Sequence, residues 1–512
     1  MIAAPPAIPQ RSDKLRRAVN WCLRRPFTTA AIVYLIVAGC RFMLVQDFSE
    51  WDHVFILAAR QLRHGGDIYN LPANLQEEHP FPFSYPPFQA LMAIPFSYLP
   101  AFLPRLAWYL VDALCLVLMW RLAWKVSGGA KLENVERPDW RQYVICILGL
   151  ACAMRFVEDT LEHRQTDLAI GALLFGGCLA WQRSRDWLAA FFWGAAAAFK
   201  CTPLLLALYL LWRGRWAPAI WLVVVAVGLN ILPDLVHRPT HGIWLTQWYT
   251  QVVRAKSDVG AWYVDPILNQ SLAGAAYRFS ATTASRGGNE LLVTPRPPRI
   301  PQPALKAILY GADFALVAMT AWAMGWPLRR MIDPARAAVE CCAVLILMLM
   351  LSPMSHKTHF CTLLLPGFVV ARLAVEKRSI VAWLALATCI TLVVVLDRSI
   401  IGRPRGNLVM WLGSVTWGSA GLWLACLWNL VKRSPKPYWR EISTTNGKLM
   451  AIGRNPMNRV QIIGAAGSVG CLALAIIKLT TDIGPATMVW IIGMLVCMLV
   501  FALGRMMPGS NG

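Results

Sequence analysis

Met43–Tyr69 reads MLVQDFSEWDHVFILAARQLRHGGDIY. It opens on the end of an apolar run, sets a carboxylate, Asp47, at the mouth of that run, and continues as an amphipathic Trp/Phe/Leu segment that stops at Gly65-Gly66. A carboxylate beside hydrocarbon is costly to keep ionised, so one placed where a helix leaves the membrane points to function. Glu50 and Asp52 come next, but one helical turn points them elsewhere, and Asp47 is the residue expected to act.

Working outward, apolar runs fill most of the 512 residues: 28–46, 105–123, 141–157, 165–182, 216–235, 305–325, 338–353, 358–375, 379–396, 408–431, 459–479 and 485–504. Crossing hydrocarbon takes about 17–25 apolar residues. The runs 186–199 and 201–213 are short and separated by Lys200 and Pro203, and 87–103 is broken by Pro95 and Pro100, which suits a re-entrant piece. The spacing predicts an all-α polytopic membrane protein with about 12–14 spans by this length criterion. Charged residues are 15% of the chain, against roughly 25% in soluble domains.

The net charge of +22 would suggest nucleic acid in a soluble protein. Here Lys and Arg lie in short blocks between apolar runs, so topology and anionic lipid headgroups account for them, and no nucleic acid is expected. The blocks at 183–185, 213–215, 329–336, 377–378 and 432–459 read as cytoplasmic, together with the basic N-terminus 1–27. Loops 47–86 and 236–304, with 155–164, the Lys200 turn, 353–357 and 397–406, then fall outside, and all eight His lie in or beside those outer segments. The 14 Cys show no CxxC and sit mostly inside apolar runs, as small buried hydrophobes do. No HExxH and no GxxxxGK[ST] occurs, so neither a metal nor a nucleotide cofactor is expected.

Polar constellations gather on the outer side. One is Arg155 to Asp167, with Gln165 and Asp167; another is Phe199-Lys200-Cys-Thr-Pro203; a third is Ser352-Pro-Met-Ser-His356-Lys-Thr-His359. Asn269, Gln270 and Arg278 in the long loop and Tyr85 before the Pro-punctuated run complete the set. A boundary carboxylate facing cationic and amide groups suits transfer from a phosphate-linked substrate. The carboxylate deprotonates an acceptor hydroxyl, and Lys, Arg and His offset charge on the leaving phosphate.

The order of these pieces resembles glycosyltransferase family 87. The elements are Asp47-Phe48; AAR-L--GG--Y from Ala58 to Tyr69; Tyr85-Pro-Pro87; a Gln165 link; FK-TP from Phe199; NQSL from Asn269 with Arg278; and SP-S---H from Ser352 to His359. The resemblance covers roughly 28–400 and implies a GT-C-like catalytic domain over 28–405, followed by C-terminal segments 406–512 that include the basic cytoplasmic linker 432–459. It implies Asp47 as the catalytic aspartate. It also implies an extracytoplasmic site in the cell envelope where a hexose or pentose, mannose-like by preference, passes with inversion from a polyprenyl-phosphate sugar to a lipid or glycan acceptor. Lys200, His356, His359, Gln165, Asp167, Asn269, Gln270, Arg278 and Tyr85 become the expected substrate-binding residues. Two departures bear on sugar specificity: Arg164-Gln165-Thr166-Asp167 stands where the family carries Gly-Gln-x-Asn, and His356 where it carries an aromatic. The rival readings are a polyprenyl-linked glycan polymerase or ligase, and a transporter or flippase. A transporter would show inverted repeats, and none is visible in the sequence.

Overall fold

The computed structural model describes residues 25–44, 49–70, 82–100, 102–133, 139–262, 267–287, 290–325 and 333–432. Asp47, most of the basic N-terminus, and the linker and apolar runs beyond residue 432 lie outside the described residues.

The apolar runs become helices: α1 Pro26–Leu44, α2 Leu57–His64, α3 Phe88–Ser97, α4 Leu103–Val126, α5 Trp140–Ala151, α6 Met154–His163, α7 Asp167–Gln182, α8 Asp186–Phe199, α9 Leu205–Trp212, α10 Trp216–Ile231, α11 Leu272–Ala281, α12 Gln302–Met324, α13 Pro334–Leu351, α14 Leu364–Val375, α15 Ile380–Ile390, α16 Arg403–Trp411 and α17 Ser414–Val431. Among the described residues one antiparallel hairpin, Thr282–Gly287 with Glu290–Pro295, stands in the long loop.

Among the described residues five helices are long and apolar enough to cross a membrane, or six if α16 and α17, bent by 53°, count as one. Several other apolar helices are shorter than the sequence runs suggested. The run at 141–157 is cut after Ala151 and continues as the amphipathic α6, which carries Glu158, Asp159 and Glu162. The Pro-punctuated run yields only ten residues, Phe88–Ser97, too few to cross.

Helix direction alternates, which sorts polar residues to two ends. α7 starts at Asp167 and ends at Gln182; α8 returns to Lys200; α9 leaves again for Arg213; α13 runs from Arg336 and Glu340 back to Ser352. At the far end Arg213 pairs with the fully buried Glu340, which also accepts from Tyr209 (2.9 Å) and Arg336 (3.0 Å). Replacing Arg213 by Ala leaves that carboxylate short of a partner. Because Arg336 and Tyr209 remain, the expected loss is near the low end for a broken buried pair, roughly 3 kcal/mol. Denaturation in detergent micelles reads it, and activity per folded molecule should not change, since the pair lies at the other end of the bundle from the polar groups described below.

The core is a helix-on-helix contact that needs small residues. A Cβ on Gly149 of α5 would fall 2.0 Å from the Phe368 ring, and one on Gly367 of α14 would fall 2.8 Å from the Gly149 carbonyl. Close backbone approach of this kind supplies the packing that lipid, being as apolar as the side chains, does not drive. A second, aromatic core caps the near end. Trp51 stacks on Trp108 at 3.8 Å between centroids, and Phe55, Phe83, Tyr69 and Trp244 close around it.

Candidate active site

The near end gathers most of the residues singled out in the sequence. α8 terminates at Lys200 because Pro203 follows and the chain tightens into a 3₁₀ turn, Thr202–Leu204. This lifts the ammonium toward the start of α7, where it donates to both oxygens of Asp167, at 2.7 and 2.9 Å. Both side chains are almost wholly covered, with 11% and 4% exposed. An ammonium has three donors. Two are spent on Asp167, which leaves one for an incoming acceptor atom.

Around this pair, Lys200 also lies 5.5 Å from the centre of the Tyr85 ring. The Tyr85 hydroxyl donates to Glu50 Oε2 at 2.9 Å and meets the Gln165 amide at 3.5 Å. His359, Ser355 and Thr202 line a narrow cavity with Asp167 and Lys200. His356 caps the 3₁₀ turn Lys357–Leu363, its ring 6.1 Å from that of His163. Asp167, Lys200 and His359 line that cavity, and Tyr85 and Gln165 adjoin it, so residues spread over 275 positions of sequence from 85 to 359 meet at one place.

Asn269, Gln270 and Arg278 are placed differently. Asn269 accepts from the Ser355 amide (3.0 Å) and donates to the Pro353 carbonyl (2.9 Å), and the Gln270 amide donates to the Ser355 carbonyl (2.8 Å). Gln270 also donates to the Met410 carbonyl (2.9 Å), while Arg278 donates to the carbonyls of Asn269 and Trp411. The Asn269 side chain and the Gln270 backbone N–H hold the 352–355 turn, which precedes His356 and His359. The Gln270 side chain and Arg278 tie that segment to the end of α16.

Glu50 and His163 join the site without having been chosen from the sequence. The reason for Glu50 is local winding: it precedes a π-helical turn, Trp51–Ile56, so α-helical phase does not hold there. Asp52 does turn away, to Arg105 at 2.5 Å. Burial pushes the Glu50 carboxyl above its ordinary value, opposed by the Tyr85 hydroxyl, Lys200 and His163. Burial pulls His356 down to about 4, so its imidazole is neutral at pH 7 and acts as a hydrogen-bonding group. For Asp159 burial favours the neutral form, but Lys357, His356 and His163 outweigh it and the carboxyl lies below its ordinary range.

Arg164, where the family pattern carries Gly, holds φ at 53°, in the left-handed region that Gly tolerates best. Its guanidinium donates to the carbonyl of Phe42 in the last turn of α1, tying the end of the first helix to the link that bears Gln165 and Asp167. Among the described residues no group of three or more His, Cys, Asp or Glu is disposed to hold a metal ion.

Comparison with known proteins adds to this geometry. The chain is 26% identical over 364 residues to a polyprenol-phosphate-mannose-dependent alpha-(1-2)-phosphatidylinositol pentamannoside mannosyltransferase of Mycobacterium tuberculosis, covering 70% of this chain and 72% of that one. It is 22% identical over 391 residues to the polyprenol-phosphate-mannose-dependent alpha-(1-2)-phosphatidylinositol mannoside mannosyltransferase of the same species, covering 74% and 83%. Among solved structures, ArnT from Cupriavidus metallidurans bound to undecaprenyl phosphate aligns over 80% of this chain and 77% of its own, with 12% identity and a TM-score of 0.33. The model of glycosyltransferase family 87 matches residues 83–353, more than half the chain and the stretch that supplies Tyr85, Gln165, Asp167 and Lys200, so the chain belongs to that family and is a multi-pass membrane glycosyltransferase.

Proposed function

We propose that this enzyme moves a mannose-like hexose from a polyprenyl-phosphate sugar to a lipid or glycan acceptor, with inversion, on the extracytoplasmic side of the cell membrane. The observation that carries the reading is the Lys200–Asp167 pair, a covered cation at the end of apolar helices with one donor left over. A phosphate whose lipid tail lies among helices reaches such a group without leaving the membrane boundary. The relatives' names supply the donor class.

In the reaction the acceptor oxygen forms a bond to the anomeric carbon while the bond from that carbon to the phosphate oxygen breaks. The electron pair stays on the phosphate, beside Lys200 and His359, and the hydroxyl proton passes to Asp47 acting as general base. Asp167 keeps Lys200 oriented, Tyr85 and Gln165 stand beside that pair, and Asn269 and Gln270 fix the turn that precedes His356, with Arg278 bracing Asn269. The charge on the leaving group is met by side chains, so a metal has no part in the proposal.

The sidedness rests on the asymmetry of Lys and Arg between the two ends. Single Cys substitutions in a background lacking reactive Cys, probed in intact cells with an impermeant maleimide, should label at exposed Arg238 or Thr250 and not at Arg183 or Arg185. Labelling at Arg183 or Arg185 with none at Arg238 would reverse the assignment. The donor is tested by reconstituting the full chain in lipid with radiolabelled polyprenyl-phosphate mannose. Transfer to a membrane acceptor is expected, and transfer only from a whole glycan chain would favour a polymerase or ligase instead.

A further inference from the structure

Glu50 is a carboxylate beside Tyr85 and Lys200 that the mechanism above leaves unused. Its Oε2 is fixed by the Tyr85 hydroxyl at 2.9 Å. The Tyr85 ring in turn stands in an aromatic wall, with Phe55 at 4.8 Å and Phe83 at 5.9 Å between centroids. Lys200 lies over that ring and Glu50 at its hydroxyl end. The cation and the carboxylate thus meet different parts of one ring, Lys200 near its face and Glu50 at its hydroxyl.

An aromatic face beside a fixed carboxylate and an amide, here Gln165, is the chemistry that recognises a sugar: ring C–H groups lie on the π face, and an acceptor-only carboxylate takes hydroxyl protons. The anomeric end of the donor is anchored at Lys200. The hydroxyls that reach Glu50 are then those across the ring, remote from the phosphate.

We infer that Glu50, held by Tyr85, is a specificity-determining residue that accepts hydrogen bonds from the hydroxyls of the transferred sugar on the side away from the phosphate. The inference rests on the polyprenyl-phosphate-hexose reading. Tyr85 holds Glu50 at the hydroxyl end of its ring. The role of Glu50 is selection among sugars.

The test uses the full chain in lipid with three donors on one polyprenyl phosphate: mannose, 4-deoxymannose and 2-deoxymannose. A site built to bond a hydroxyl rejects the analogue lacking it strongly, by up to ~10⁴–10⁵. Wild type should prefer mannose over the 4-deoxy donor by roughly 10²-fold or more in kcat/KM. Glu50→Ala should remove most of that preference, lowering kcat/KM for mannose while barely altering it for the 4-deoxy sugar. Glu50→Gln, isosteric and the safer variant for folding, should keep part of the preference. Discrimination against the 2-deoxy donor should be the same in all three proteins.

The inference is overturned if either variant lowers mannose and 4-deoxymannose equally, as loss of a proton acceptor or of packing would. It is also overturned if the variants change discrimination at the 2-position instead. Wild-type inactivity on every polyprenyl-phosphate donor, with transfer from another donor class, would remove the underlying reading itself and the inference with it.

Discussion

Asp47→Asn should reduce sugar transfer by at least ~10²-fold while expression and donor binding stay near wild type. The substitution preserves size and hydrogen-bonding capacity and removes only basicity. An acceptor hydroxyl is a weak nucleophile, and a general base within about 2.6–3.2 Å of it is the group whose loss the chemical step feels most. The readout is single-turnover transfer with preloaded donor, which separates chemistry from binding. Glu50→Gln and Asp52→Asn serve as comparisons, because the three carboxylates lie within six residues. Asp52 is already committed to Arg105 and Glu50 to Tyr85. Retained turnover in Asp47→Asn together with a 10²-fold loss on all sugars in Glu50→Gln would move the base by three positions.

Lys200→Ala is the second large effect. Removing a charged donor aimed where charge develops costs about 10²–10³ in rate, and here the same group binds the ground-state phosphate, so donor affinity should fall as well. The variant also leaves Asp167 covered and unpaired, which destabilises the fold in its own right. Lys200→Ala combined with Asp167→Asn removes that penalty. The double variant should recover thermal stability in detergent without recovering donor binding. Recovery of both would show that Lys200 serves structure alone.

The fold was legible wherever a run of apolar residues ended on its own breaker. Lys200 and Pro203 announced the turn between α8 and α9, and Ser352-Pro353 announced the end of α13. The number of crossing helices was less legible, because an apolar run does not show whether its helix is continuous. At Ala151 and at the α16–α17 bend the hydropathy persists while the backbone breaks.

The site divides the same way. Lys200, Gln165, Asp167, Tyr85 and His359 were found from residue type and family order, and they meet in space. That Asp167 would be the direct partner of Lys200, 33 positions away, needed the antiparallel packing of α7 and α8. Asn269, Gln270 and Arg278 look like ligand-binding groups in sequence because amides and guanidinium bind ligands and backbone carbonyls equally well. Only the contacts with Pro353, Ser355, Met410 and Trp411 show which they meet here. Glu50 was set aside by assuming an α-helical turn where the chain winds as a π-helix. Arg164 was noticed as a replacement for Gly, but its strained backbone and its bond to α1 are visible only in three dimensions.

Binding of a polyprenyl-phosphate sugar at the Lys200–Asp167 pair is tested most directly by a density map of the full chain in a lipid nanodisc with polyprenyl-phosphate mannose. A phosphate oxygen should lie within about 2.7–3.2 Å of Lys200 Nζ, with the sugar against Tyr85 and the lipid tail leaving between helices at that end of the bundle. A phosphate seated at the opposite end beside Arg213, or a donor whose phosphate makes no contact with Lys200, would contradict it.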